Sequence, residues 1–131
     1  MPTSSPAFAH LFEPLQIRGK RLKNRIMSSG HDTSMPTDNL VNAQLIAYHR
    51  ARAEGGVGLI VLQVAGVHDS ARYTSHVLMA TDDACIEGYR ELARTCHEHG
   101  TLVLSQISRP GWNTCDNTTV PWAWQVCASL R

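Results

Sequence analysis

A small set of side chains could carry chemistry here: seven histidines, four cysteines, the adjacent pair His31-Asp32, and Gln106 at the end of an apolar run. The histidines form no HxxxH pair, and Cys85, Cys96, Cys115 and Cys127 form neither a CxxC pair nor a zinc-finger spacing, so no metal site is expected. Cys85 and Cys96 stand eleven apart on a predicted helix, a rise of about 16 Å that no disulfide spans. Both read as small buried apolar groups. Neighbours on a strand face opposite sides, so His31 and Asp32 do not read as a base with its orienting carboxylate. The Gln106 amide offers a donor and an acceptor side by side. Taken alone, it reads as a polar cap on a strand end, bonded to backbone. No catalytic residue follows from residue types alone.

Those side chains need a scaffold, and composition bounds it. The chain has 131 residues, enough for one domain with a core of its own. Apolar residues make up 43% and charged residues 18%, a globular balance. A net charge of +1 without a basic block argues against electrostatic nucleic-acid binding. No apolar run approaches the roughly 18 residues of a membrane span. Residues 1–10 lack the basic and apolar regions of a secretory signal. A soluble, cytoplasmic chain is expected.

Periodicity alternates along the sequence. Residues 11–23 show two short extended pieces around Arg18-Gly19, a hairpin pattern. Residues 24–29 read as a strand ending at Gly30. Residues 42–54 read as a helix with Leu45, Tyr48 and Ala51 or Ala53 inward and Gly55-Gly56 as its stop. The run VGLIVLQV, residues 57–64, suits a strand covered on both faces of a parallel sheet. Asp82 or Asp83 offers an N-cap for a helix to about His99, with Ile86, Tyr89, Ala93 and Cys96 as its buried stripe. Gly100 ends it, and His97 and His99 sit where positive charge complements the helix dipole. Residues 101–107 form a third strand.

The order hairpin, β, α, β, α, β implies an α/β architecture with parallel pairing. A dinucleotide-binding sheet needs its glycines after a strand and opening a helix. Here Gly55-Gly56-Val57-Gly58 precedes a strand, which favours a barrel, although periodicity alone does not decide it.

The segments LFEPL (11–15), LKNRI (22–26), GGVGLI (55–60), HEHG (97–100) and Gln106 followed by Pro110-Gly111 occur in this order and spacing. Together they resemble the N-terminal part of the NADH:flavin oxidoreductases, the Old Yellow Enzyme family, nearest its bacterial branch of 2,4-dienoyl-CoA reductases and trimethylamine dehydrogenase. The resemblance covers about residues 10–111 and implies an FMN-dependent (β/α)8 TIM barrel. In such a barrel NAD(P)H reduces the flavin, which passes hydride to an activated alkene or similar small-molecule acceptor. It further implies cofactor contacts from Ser29, Gly30 and His31 at the end of strand 1, Val64 at the end of strand 2, and Gln106 on strand 3. Gln106 would meet the flavin's pyrimidine edge. Asp32 departs from the family pattern, because a carboxylate there would oppose charge on reduced flavin. His68, Asp69 and His76 fall in the loop after strand 2 and read as solvated.

A complete barrel of this kind takes about 250 residues, so the expected fold is a partial one: the hairpin, about three strands and two helices. The phosphate site, the substrate-anion pair, the proton donor and the iron–sulfur cysteines of the family fall beyond this chain. Residues 1–111 read as the N-terminal portion of the barrel. Residues 112–131 read as a divergent tail, either a truncated or frame-shifted stretch or an aromatic lid, beginning where Arg109 and Trp112 replace the family's usual His and Arg. Two bare sheet edges are expected. They imply a marginally stable chain that self-associates or pairs with the missing part, and they leave a non-catalytic remnant or partner-dependent fragment as the alternative to an enzyme.

Overall fold

The computed structural model describes residues 8–108 and the backbone of residues 125–129. A helical turn, α1 (Ala9–Phe12), precedes the hairpin of β1 (Leu15–Ile17) and β2 (Lys20–Leu22). Leu11 and Phe12 therefore lie in a turn of helix, outside the hairpin. Arg18 and Gly19 take φ of 42° and 79°, the paired positive values that match a two-residue turn to strand twist. Leu15 then stands opposite Leu22.

The main sheet is built on parallel βαβ units: β3 (Met27–Ser28), α2 (Ala43–Glu54), β4 (Leu59–Gly66), the two-residue β5 (Leu78–Met79), α3 (Cys85–His97) and β6 (Leu102–Ser108). A further strand, β7 (Gln125–Ser129), closes the series. β4 is central, with β6 parallel on one side and both β3 and β5 parallel on the other. β3 is shorter than the expected strand because Asn24 diverts the backbone. Its buried side chain donates to the Gly56 carbonyl at 2.7 Å and accepts from the Ile26 amide at 3.1 Å, a local alternative to ladder bonds.

Asn42 caps α2, its Oδ1 accepting from the Leu45 amide at 2.9 Å. Gly55 and then Gly56, at φ 96°, end the helix as expected. The inward positions are Leu45, His49 and Ala53, so His49 takes the place expected of Tyr48. On α3 the stripe is Tyr89, Leu92, Ala93 and Cys96, whereas Ile86 is 44% exposed, a correction to the expected set. Ala84, and not Asp82 or Asp83, holds the N-cap position, so that Ile86 is only the second residue of the helix. Asp82 Oδ1 accepts from the Ala84 amide at 2.8 Å, capping the turn ahead of the helix. At its other end the Lys23 ammonium donates to the His99 carbonyl at 2.7 Å, supplying the positive charge the helix dipole favours.

β4 and β6 run in register up to the pair Val61 and Leu104, then resume at Val64 and Gln106. Three residues of β4 thus span two of β6, a β-bulge. The extra residue rephases the strand, so that Ile60, Leu62 and Ala65 all join one core with Leu45, Ala53, Leu92, Cys96 and Val103 beneath the helices. Burial pushes the Cys96 thiol up to about 11, and Cys85 and Cys96 are both free.

No closed barrel forms among the described residues. β6 is not a bare edge, contrary to expectation, because β7 lies antiparallel on it from Leu104 opposite Ser129 to Ser108 opposite Gln125. The outer side of β3 carries no strand among the described residues. Arg109, Trp112 and Cys115 lie outside the described residues, as does most of the expected tail. No described helix is long and apolar enough to cross a membrane.

His49 is 2% exposed, and neither ring nitrogen has a hydrogen-bond partner among the described residues. Burial, then the charges of Arg52 and His31, lower its pKa to about 4. The unfolded chain therefore takes up this proton first as pH falls from about 6.5, and stability drops until the folded form binds it near 4. Urea denaturation at pH 7 and 4.5 should show a loss on the order of 2 to 3 kcal/mol from this group. His49→Leu should remove that part of the acid loss.

Candidate functional site

The C-terminal ends of β3, β4 and β6 converge. Gly30, two residues past β3, packs so tightly that a Cβ there would stand 2.6 Å from Gln106 Oε1 and 2.8 Å from the Leu62 carbonyl oxygen. Gln106 lies opposite Val64 in the ladder, so their side chains share the face away from the helices. The Leu62 carbonyl belongs to the bulge itself, which brings β4 backbone up to Gly30. Three of the five expected cofactor residues, Gly30, Val64 and Gln106, are thereby gathered at one rim.

The two glutamines at this level differ sharply. Gln63 is 1% exposed and its amide is fully used. Its Oε1 accepts from Thr33 Oγ1 at 2.6 Å and the Thr33 amide at 3.3 Å, and its Nε2 donates to Asp32 Oδ1 and the His76 carbonyl, each at 3.2 Å. Gln106 is half-buried, and its side-chain amide has no hydrogen-bond partner among the described residues. The backbone-capping role that Gln106 suggests in isolation is absent among those residues.

Ser29 and His31 are exposed and tied to each other. His31 Nδ1 donates to the Ser29 carbonyl at 3.1 Å, which leaves Nε2 to accept from the Tyr48 hydroxyl on α2. The Arg52 guanidinium lies 3.4 Å over the Tyr48 ring and holds it from the other side. His31 thus faces α2, whereas Gly30 faces Gln106. Asp32 accepts from Gln63 and, through Oδ2, from the Tyr73 hydroxyl at 2.9 Å. Burial, the Asp32 hydrogen bond and the Asp32 charge push Tyr73 up to about 12, so it stays a donor. Among the described residues Asp32 forms no ion pair.

The loop after β4 is ordered by local bonds. His68 Nδ1 accepts from the Ser70 amide at 3.2 Å, Asp69 faces Arg72 at 3.8 Å, and His76 Nδ1 donates to the Pro36 carbonyl at 3.0 Å. Sequence reading missed Gln63, Thr33, Tyr48 and Tyr73. One signal for Gln63 was present, as the single polar residue inside an apolar strand.

Parallel strands with helices on one face, and at their tips an amide unpartnered among the described residues, define a piece of a (β/α)8 barrel with its ligand rim at the C-terminal ends. The sequence matches the NADH:flavin oxidoreductase / NADH oxidase family over residues 10–129, and the chain belongs to that family. It is 33% identical over 114 residues to an NADH oxidase of Thermoanaerobacter brockii, covering 86% of this chain and 18% of that protein. It is 37% identical over 106 residues to an NADPH dehydrogenase of Geobacillus thermodenitrificans, covering 77% of this chain and 30% of that protein. The fold matches the Old Yellow Enzyme of a Pichia species with a TM-score of 0.69 at 21% identity, over 75% of this chain and 26% of that one. It also matches morphinone reductase in complex with tetrahydroNAD, with a TM-score of 0.69 at 25% identity, over 74% and 26%. The chain therefore spans less than a third of the length of these relatives.

The rim makes a direct prediction. Gly30→Ala should destabilise the chain by about 1 to 3 kcal/mol, the usual cost of overpacking, read from the midpoint of chemical denaturation. Adding Gln106→Ala should recover only part of that loss, because the Leu62 carbonyl stays in place.

Proposed function

We propose that this chain supplies the pyrimidine-side wall of an FMN site in an NAD(P)H-driven oxidoreductase acting on a small-molecule acceptor, an activated alkene or similar. The observation that carries this reading is the Gln106 amide, half-buried at the strand tips and without a partner among the described residues. The pyrimidine edge of a flavin presents an N–H beside a carbonyl, and one carboxamide satisfies both. The residues fit the group: Gly30 has no Cβ to stand between backbone and ring, and Val64 lies beside Gln106 on the same face. FMN, when bound, takes hydride from the nicotinamide and delivers it to the acceptor. Gln106 binds and orients, Gly30 and the Leu62 carbonyl fix the approach, and Ser29 and His31 border the site. The sequence motifs favour the dienoyl-CoA reductase-like branch.

A second reading has its own support. The outer side of β3 carries no strand among the described residues, and Met27 on it is 55% exposed. In this reading the chain is non-catalytic alone. It gains its function when the remaining barrel strands join at that edge, as more of the same polypeptide or as a partner.

Titration of the purified chain with FMN, followed by quenching of flavin fluorescence, separates the two. Saturable binding that Gln106→Leu weakens by roughly tenfold or more, as loss of a buried hydrogen-bond pair requires, supports the flavin site. Uptake only after a polypeptide with the remaining strands is added supports the partner-dependent form. A preparation that takes up no FMN under either condition overturns the flavin reading.

A further inference from the structure

Between β3 and β5 one edge of β4 has no strand against it, since β3 pairs only with Leu59 and Ile60 and β5 only with Ala65 and Gly66. Gln63 fills that gap. Its carboxamide accepts from the Thr33 amide and donates to the His76 carbonyl, as a backbone peptide unit of a neighbouring strand would do. It has one donor hydrogen to spare, and that one goes to Asp32 Oδ1 at 3.2 Å. Tyr73, from the loop after β4, holds the other carboxylate oxygen at 2.9 Å.

Asp32 is two residues from Gly30, which touches Gln106, and its charge has no cation against it among the described residues. A loose carboxylate at that position would compete for the Gln106 amide donors and repel an electron-rich ring edge. We propose that Gln63 is a positioning residue for the strand-tip site: its buried carboxamide pins Asp32 and Thr33 to β4 and turns the Asp32 carboxylate toward Tyr73 instead of toward Gln106. The same two loops are also joined without Gln63. Asn39 Nδ2 donates to the Val77 carbonyl at 2.7 Å, and His76 donates to the Pro36 carbonyl at 3.0 Å. Loss of Gln63 therefore frees Asp32 before it frees the loops. The consequence for the cofactor rests on the FMN reading above, whereas the clamp on Asp32 does not.

Two readouts on the whole chain test this. The first is ultraviolet titration of tyrosinate, with Tyr73→Phe assigning the Tyr73 signal. Gln63→Met and Asp32→Asn should each lower the Tyr73 midpoint from about 12 toward 10, and the double variant should go no lower than Asp32→Asn alone. A folded Gln63→Met chain whose Tyr73 midpoint stays at about 12 overturns the clamp. Should Gln63→Met fail to fold, hydrogen exchange on the unaltered chain decides. The Thr33 amide should be protected like those of β4, and exchange at the rate of a free loop overturns the proposal.

The second readout is FMN affinity. Gln63→Met should weaken it roughly tenfold, and Asp32→Asn in the same chain should restore most of that loss. A mere gap-filler would show no such rescue, so a double variant as weak as Gln63→Met overturns the positioning role. If the unaltered chain binds no FMN either alone or with a polypeptide carrying the remaining strands, the flavin reading falls and the tyrosine titration still settles the clamp.

Discussion

One register shift organises this chain. By placing three residues of β4 against two of β6, the bulge lets a single strand face three environments. Ile60, Leu62 and Ala65 reach the core beneath the helices, Val64 stands beside Gln106 on the opposite face, and Gln63 projects along the edge. A regular strand would send residues 60, 62 and 64 one way and 61, 63 and 65 the other. Val64 would then be buried under the helices, Ala65 would leave the core, and the Leu62 carbonyl would be committed to the ladder instead of meeting Gly30.

Around this strand the chain handles polar burial in two contrasting ways. Gln63, Asn24 and Asn39 are buried polar side chains whose amides meet backbone groups wherever regular pairing stops. Each replaces a missing peptide partner, which is why their burial is tolerated. His49 has no such partner among the described residues and sits between Leu45 and Ala53 on the inner stripe of α2. Satisfied amides define the geometry of the strand-tip rim, and the unsatisfied imidazole makes the helix layer sensitive to acid.

Much of the layout was legible in the sequence. Glycines marked the ends of both long helices, the apolar run 57–64 marked the central strand, and positive φ at Arg18-Gly19 agrees with the hairpin read there. These are local signals, set within a few residues. What escaped depends on distant partners. Whether Gln63 or Gln106 keeps a free amide is decided by residues 32, 33 and 76 in other loops, and no spacing rule encodes that. His49 displaced Tyr48 from the inner stripe because Arg52 and His31 hold the tyrosine at the rim, while burial of an unpaired imidazole contradicts the polarity that patterning relies on. β7 was missed because residues 112–131 read as a divergent tail, although Pro110-Gly111 offers a turn signal ahead of it.

The direction of β7 has a consequence for how such a sheet can be completed. In an eight-stranded parallel barrel every neighbour runs the same way, and β7 runs the opposite way along all five of its pairs. A strand arriving beside β3 needs only to dock. One arriving beside β6 must evict an incumbent, a strand-exchange step with its own activation barrier. Assembly would thus be ordered in time, with the first flank filled by simple addition and the second closed late, only after its temporary occupant has peeled away.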